Sequence, residues 1–355
     1  MGFASVHNLS PANHRGVLGR RMASGRRAVS LRHGEPLQAK REQKIYQSHH
    51  PPGIFDRVKA HDQIVDIPAH CGLTAEEKTF IESTVGSHYV TMYAEVQPEL
   101  RTLLSNVEWV GFDLDDTLHE FRLASKAASL AVFEEIHKGH SAISVDALGS
   151  EYQAILIKAT ASAFSEGKTS TEYRKERFSA LLHGQSIAFS ESYLDDLVSL
   201  YKEALRSSLV LKPGTLDLLQ KLKDMKKTVL VVTEAPRDAQ KWMIDQLGLR
   251  DYVDILVTSN ELRRSKTDGL FAEVLKRYEL AASRGVYIGD NKARDVIPAQ
   301  KEGILSIHYD ETHNCVLNVK GRQISVNTLA KIGHLFDLAF NEQSDGFGSN
   351  ADLEE

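Results

Sequence analysis

Five short apolar runs, each closed by turn or polar residues and separated by helical stretches, constrain the fold of this chain more than any other feature. They are Trp109 to Asp113, Thr228 to Val232, Asp254 to Thr258, Gly285 to Ile288 and Ile304 to His308. Between them the spacing predicts helices near Gly214 to Lys226, Asp238 to Leu247, Gly269 to Leu280 and Ala293 to Glu302, the second and fourth stopped by Gly248 and Gly303. Strands alternating with helices in this way predict an α/β protein built on a doubly wound parallel (Rossmann-like) sheet.

One interval breaks the alternation. More than a hundred residues separate the first run from the second, whereas a crossover between parallel strands needs about a dozen. The excess, Phe121 to Leu209, is rich in helix-formers, and Leu123, Ala127, Leu130, Ala131 and Ile136 recur at helical spacing, so an inserted helical module is expected. Beyond the last run, Val316 to Ser325 carries a Lys320-Gly321 turn that suggests a hairpin, followed by a helix near Leu329 to Phe340; residues 341–355 read as a disordered acidic tail.

The N-terminal region is of another kind. Its first 34 residues hold six arginines (Arg15, Arg20, Arg21, Arg26, Arg27, Arg32) and no acid, and Pro11, Gly16, Gly19 and Gly25 interrupt any helix. A disordered basic segment over residues 1–50 is expected, with a mitochondrial presequence as the alternative. Thr74 and Glu77 form a capping-box pattern, and a second helix is expected from about Tyr89 to Leu104, so residues 51–105 read as a helical extension packed on the α/β domain. A net charge of -5 with 26% charged residues argues against nucleic acid or an anionic membrane as a main partner. Cys71 and Cys315 cannot build a disulfide framework, and neither sits in a zinc-binding pattern, so a reducing, cytoplasmic location is expected. No run approaches the roughly 18 apolar residues of a membrane span.

Four short pieces fall at the carboxyl ends of the expected strands, the edge where open α/β sheets bind ligands. The first, Phe112-Asp113-Leu114-Asp115-Asp116-Thr117-Leu118, places carboxylates two residues apart as a buried strand ends. Acids so placed repel each other, which raises the pKa of one or recruits a metal; the plain alternative is an acidic turn capping a helix. The second, Val231-Val232-Thr233-Glu234, delivers a hydroxyl to the same edge. The third is Lys266, directly before a helix, and the fourth is Gly289-Asp290-Asn291-Lys292-Ala293-Arg294-Asp295, with acids five residues apart. Taken singly, the threonine reads as a strand end and the lysine as a solvated surface residue.

In order and position, however, the four pieces resemble the motifs of the haloacid dehalogenase-like (HAD) superfamily over about Val107 to Tyr309, including an insertion where that superfamily carries a helical cap. The resemblance implies Asp113 as a carboxylate nucleophile on phosphorus and Asp115 as general acid and then base. It implies a Mg²⁺ site from Asp113, the Asp115 backbone carbonyl, Asp290 and Asp295, with Thr233 and Lys266 cradling the phosphoryl oxygens. Asp115 separates reactions within the superfamily, because a halide leaving group needs no proton and an alkoxide does. Glu234 departs from many cap-bearing relatives, which have Asn there; it faces the leaving group, pairs with Arg237 or Lys292, or points to solvent.

The activity expected is hydrolysis of a small phosphomonoester, of the sugar phosphate or nucleotide monophosphate class, with no nucleic acid or membrane partner. Its specificity belongs to residues 121–209, where Arg174 and Arg177 are three apart and share a helix face; exposed helices also carry such charges as a solvated face. Phosphomutase or another phosphotransferase, haloacid dehalogenase and a non-catalytic scaffold are the alternatives.

Overall fold

A computed structural model of the chain describes residue 83 and residues 86–319 and 323–340. The basic N-terminal segment, the Thr74 capping box, the Lys320-Gly321 turn and the acidic tail lie outside the described residues.

All five expected strands are present. They are β1 (Trp109–Phe112), β2 (Thr228–Thr233), β3 (Ile255–Thr258), β4 (Gly285–Gly289) and β5 (Leu305–Tyr309), joined by β6 (Val316–Asn318) and β7 (Gln323–Val326) in one sheet of order β3-β2-β1-β4-β5-β7-β6. Every pairing is parallel except β6 with β7, the antiparallel pair that the hairpin pattern predicts. Strand β1 is central, and its residues alternate between two layers as the two-residue period requires. Val110 and Phe112 join one apolar cluster, together with residues of the flanking helices. Trp109 joins the opposite one with Leu230, Val232 and Tyr287.

The helices, in chain order, are α1 (Ser87–Ser105), α2 (Phe121–Gly139), α3 (Val145–Ala159), α4 (Ser170–Gly184), α5 (Glu191–Ser207), α6 (Thr215–Asp224), α7 (Arg237–Gln246), the single turn α8 (Ser259–Leu262), α9 (Leu270–Arg277), α10 (Ile297–Lys301) and α11 (Leu329–Phe340). Helix α1 buries Leu100 and Leu104 in the same cluster as α6 and α11, and Tyr93 lies 5.9 Å from His334 of α11, ring centre to ring centre.

Helices α2 to α5 form the long interval between β1 and β2 and enclose an apolar cluster of their own, including Val132, Phe133, Ile136, Tyr152, Phe178 and Leu197. Local signals fix their starts. Ser144, Thr169 and Ser190 each accept a backbone N–H three residues on, and Thr169 with Glu172 completes a capping box.

The insertion is fastened to the sheet domain at its far loop. Ala163 and Phe164 take left-handed φ values of 49° and 60°. Ser259 Oγ donates to the Ala163 carbonyl at 2.5 Å, and Asn260 Nδ2 donates to the carbonyls of Phe164 at 3.2 Å and Lys168 at 2.9 Å. Asp238 of α7 accepts both the N–H of Ser170, at 2.9 Å, and its hydroxyl, at 2.6 Å. Among the described residues no helix is long and apolar enough to cross a membrane.

Candidate active site

Parallel register brings the strand tips together. Phe112 stands opposite Val231 on one side and Ile288 on the other. The next residue, Asp113, donates its N–H to the Ile288 carbonyl at 2.9 Å, so the ladder itself sets where this carboxylate starts. Thr233 ends β2 one strand away and is 1% exposed. Lys266 arrives from beyond β3, 3% exposed, with Nζ 2.7 Å from Asp113 Oδ1 and 2.5 Å from Asp295 Oδ1. Burial by itself lowers the affinity of that ammonium for its proton, but the charges of Asp113 and Asp295 outweigh burial and hold Lys266 above its ordinary value.

The fourth motif is shaped differently from the expectation. In place of one helix from Ala293 to Glu302, the chain makes a single π turn over Lys292–Val296, and α10 begins only at Ile297. Side-chain hydrogen bonds account for the change. Asn291 Oδ1 accepts the N–H groups of Ala293 and Arg294, each at 3.1 Å, while Asp295 Oδ2 accepts the N–H of Asn291 at 2.9 Å. Asp295 is thereby drawn back over Gly289, so close that a Cβ on Gly289 would lie 2.4 Å from Asp295 Cγ. Such wide turns recur at functional sites.

Carboxylate oxygens of Asp113, Asp290 and Asp295 lie within 4.8 Å of one another. Burial pushes Asp295 up to about 6 against the pull of Lys266. Burial, and then the charge of Asp113, raises Asp290 as well. Three acids so crowded, with hard oxygen donors and neither imidazole nor thiolate in the set, have the chemistry of a site for a small divalent cation such as Mg²⁺.

Several further residues take part, and His119, Gln240 and Arg122 carry no local sequence signal. His119, fully buried, places Nε2 3.0 Å from Asp115 Oδ1, and buried Gln240 of α7 donates to Asp115 Oδ2 at 3.2 Å. Thr117 Oγ1 accepts the N–H of Asp290 at 3.1 Å, tying the first motif to the fourth. Arg122, in the first turn of α2, reaches Asp290 Oδ2 at 2.9 Å and Asp116 Oδ2 at 3.2 Å. Glu234 does not point to solvent, and neither Arg237 nor Lys292 is its partner. It accepts the backbone N–H of Lys266 at 2.6 Å and pairs with Arg294, while Arg237 is taken by Glu261.

A cavity of about 350 Å³ lies between the sheet edge and the insertion, and all eight residues singled out from sequence line it. Asp113, Asp115, Thr233, Lys266, Asp290 and Asp295 come from the sheet side, and Arg174 and Arg177 come from α4 opposite. Arg174 Nη1 donates to Ser170 Oγ at 3.2 Å, and its guanidinium lies 5.0 Å from the Tyr201 ring centre.

Residues 110–308, more than half of the chain, match the haloacid dehalogenase-like hydrolase family. This chain belongs to that family. Among curated members, it is 25% identical over 206 residues to a ribulose-1,5-bisphosphate 5-phosphatase of Halopiger xanaduensis, covering 56% of this chain and 83% of that one. It is 27% identical over 134 residues to a glyceraldehyde 3-phosphate phosphatase of Methanocaldococcus jannaschii, covering 38% of this chain and 58% of that one. A HAD hydrolase of Bacillus subtilis, crystallised with magnesium, shares the fold at a TM-score of 0.52 and 20% identity, over 65% of this chain and 99% of its own.

Proposed function

We propose that this HAD-family protein is a Mg²⁺-dependent phosphatase that hydrolyses a small phosphomonoester of the sugar phosphate or nucleotide monophosphate class through an aspartyl-phosphate on Asp113. One observation carries the reading: a buried carboxylate touched by a buried ammonium, a second carboxylate two residues on, and an acidic cation site all open into one covered cavity.

Asp113 Oδ1 or Oδ2 would attack phosphorus, forming an acyl phosphate as the bond to the leaving oxygen breaks. Asp115 would give that oxygen its proton, then take one from the water that cleaves the acyl phosphate. His119 and Gln240 hold the Asp115 carboxylate by both oxygens, which suits a residue that must present a proton along one direction. Thr233 and Lys266 would bind the phosphoryl oxygens, and Lys266 also tempers the repulsion between Asp113 and Asp295. Asp113, Asp290 and Asp295, with the Asp115 carbonyl, are the residues that would hold Mg²⁺. When bound, the ion neutralises phosphoryl charge and makes phosphorus more electrophilic.

Helices α2 to α5 would serve as the cap that keeps bulk water out and recognises the rest of the substrate. Buried Cys315 is a free thiol, which suits a reducing compartment such as the cytoplasm. The test is phosphate release from a panel of phosphomonoesters with and without Mg²⁺. Release by the wild type, abolished in Asp113→Asn, is expected; release that persists in the variant removes Asp113 as nucleophile.

A further inference from the structure

The cations lining the cavity fall into two groups. One group is matched by acid: Lys266 by Asp113 and Asp295, Arg122 at the start of α2 by Asp116 and Asp290, and Arg294 by Glu234. Across the cavity, Arg174 and Arg177 differ. Among the described residues no carboxylate lies within ion-pair distance of either, and no acid of α2 to α5 lines the cavity. Their contacts are to neutral groups. Arg174 meets the Ser170 hydroxyl and the face of Tyr201; Arg177 meets the Tyr173 carbonyl at 3.0 Å, the Phe164 ring and the Tyr152 hydroxyl. Asp238 is linked to Arg174 by hydrogen bonds through Ser170 Oγ.

Two half-buried guanidiniums with no carboxylate in ion-pair contact favour an anionic partner. Burial already pulls Arg174 below its ordinary pKa. Both sit on one face of α4, three residues apart, so their planar forks can address a single carboxylate or phosphate together. The transferred phosphoryl group is provided for on the opposite wall by Lys266, Thr233 and the cation site. A substrate with only hydroxyls beyond its phosphate leaves the α4 pair unmet.

Building on the phosphatase reading, we propose that the substrate carries a second anionic group, a carboxylate or a second phosphate, and that Arg174 and Arg177 bind it. The substrate is then a small bis-anionic metabolite, and Asp238 is a positioning residue that acts on Arg174 through Ser170.

The test uses the full chain with Mg²⁺ and matched pairs: 3-phosphoglycerate against glycerol 3-phosphate for a carboxylate, ribulose 1,5-bisphosphate against ribulose 5-phosphate for a phosphate, and p-nitrophenyl phosphate as a generic substrate. The wild type is expected to favour the bis-anionic member of at least one pair in kcat/KM by roughly 10- to 100-fold, the worth of a charge-assisted contact. Which pair responds separates carboxylate from phosphate. Arg174→Met and Arg177→Met should collapse that ratio toward one, chiefly through KM, with Arg→Lys restoring part of it. In an Asp113→Asn background, Kd for the same pairs should show the same order. Turnover of p-nitrophenyl phosphate with no preference in either pair, or variants that lose both members of a pair equally, overturns the second-anion site and leaves the phosphatase reading standing. Failure to release phosphate from all five substrates overturns both.

Discussion

Replacing Gly289 by alanine tests the geometry of the cation site without touching an ionisable group. The added Cβ would stand 2.4 Å from Asp295 Cγ and 2.5 Å from its Oδ2, below any distance real Cβ atoms tolerate. Reaching even the short end of ordinary contact, about 3.4 Å, requires a relative shift of about 1 Å. Asp295 has little room to yield, since its oxygens hold Lys266 Nζ at 2.5 Å and Asn291 N at 2.9 Å, and it is 1% exposed. A shift of that size breaks one or both contacts and leaves Lys266 with Asp113 alone. Disrupting one partner of a buried charge network costs about 3–5 kcal/mol, which for a domain of this size lowers Tm by roughly 6–20 °C. The expected result in Gly289→Ala is that lower Tm by calorimetry, together with a weakened Mg²⁺-induced rise in Tm. A variant within about 2 °C of wild type and with an unchanged Mg²⁺ response would show that Asp295 does not pack over β4 as described.

Two further outcomes are expected. His119→Phe removes one of the supports of Asp115 and should lower kcat by roughly 10- to 100-fold for an alkyl phosphate, whose leaving oxygen needs a proton, and by less for p-nitrophenyl phosphate, whose leaving group does not; an equal fall for both would make His119 a packing residue only. His334, buried in the core beside the Tyr93 ring, is held by burial down to about 4. The unfolded chain therefore takes up this proton near pH 6.5 and the folded chain only near 4, so stability falls as pH drops across that window, by up to about 3 kcal/mol in all. His334→Phe should flatten the Tm–pH slope between pH 6.5 and 4, and an unchanged slope would assign the acid sensitivity elsewhere.

What was legible in the sequence was whatever local pattern determines. Strand runs such as Thr228–Thr233 and Gly285–Gly289 have apolar interiors and declare themselves, and their order places Asp113, Thr233 and Asp290 at one edge. The long gap after β1 announced the insertion for the same reason. Illegible were contacts made between distant segments. Gln240 meets Asp115 from 125 residues away and Arg122 meets Asp290 from 168. Neither pairing leaves a trace in spacing. Glu234 was open because a carboxylate beside a phosphate site has several ways to be satisfied, and only the fold shows that the Lys266 N–H and Arg294 supply them. The helix expected from Ala293 misled for a related reason: spacing alone does not show a wide turn, which arises from Asn291 and Asp295 side chains bonding to backbone.

The manner in which the insertion is fastened bears on how such an enzyme can diversify. Ser259 and Asn260 grip the loop by the carbonyls of Ala163, Phe164 and Lys168, groups that every amino acid possesses. Side chains in that loop, Phe164 among them, face the cavity and can be exchanged during descent while the grip persists. On the proposed cap reading, selectivity is free to drift on an insertion whose seating is written in the backbone.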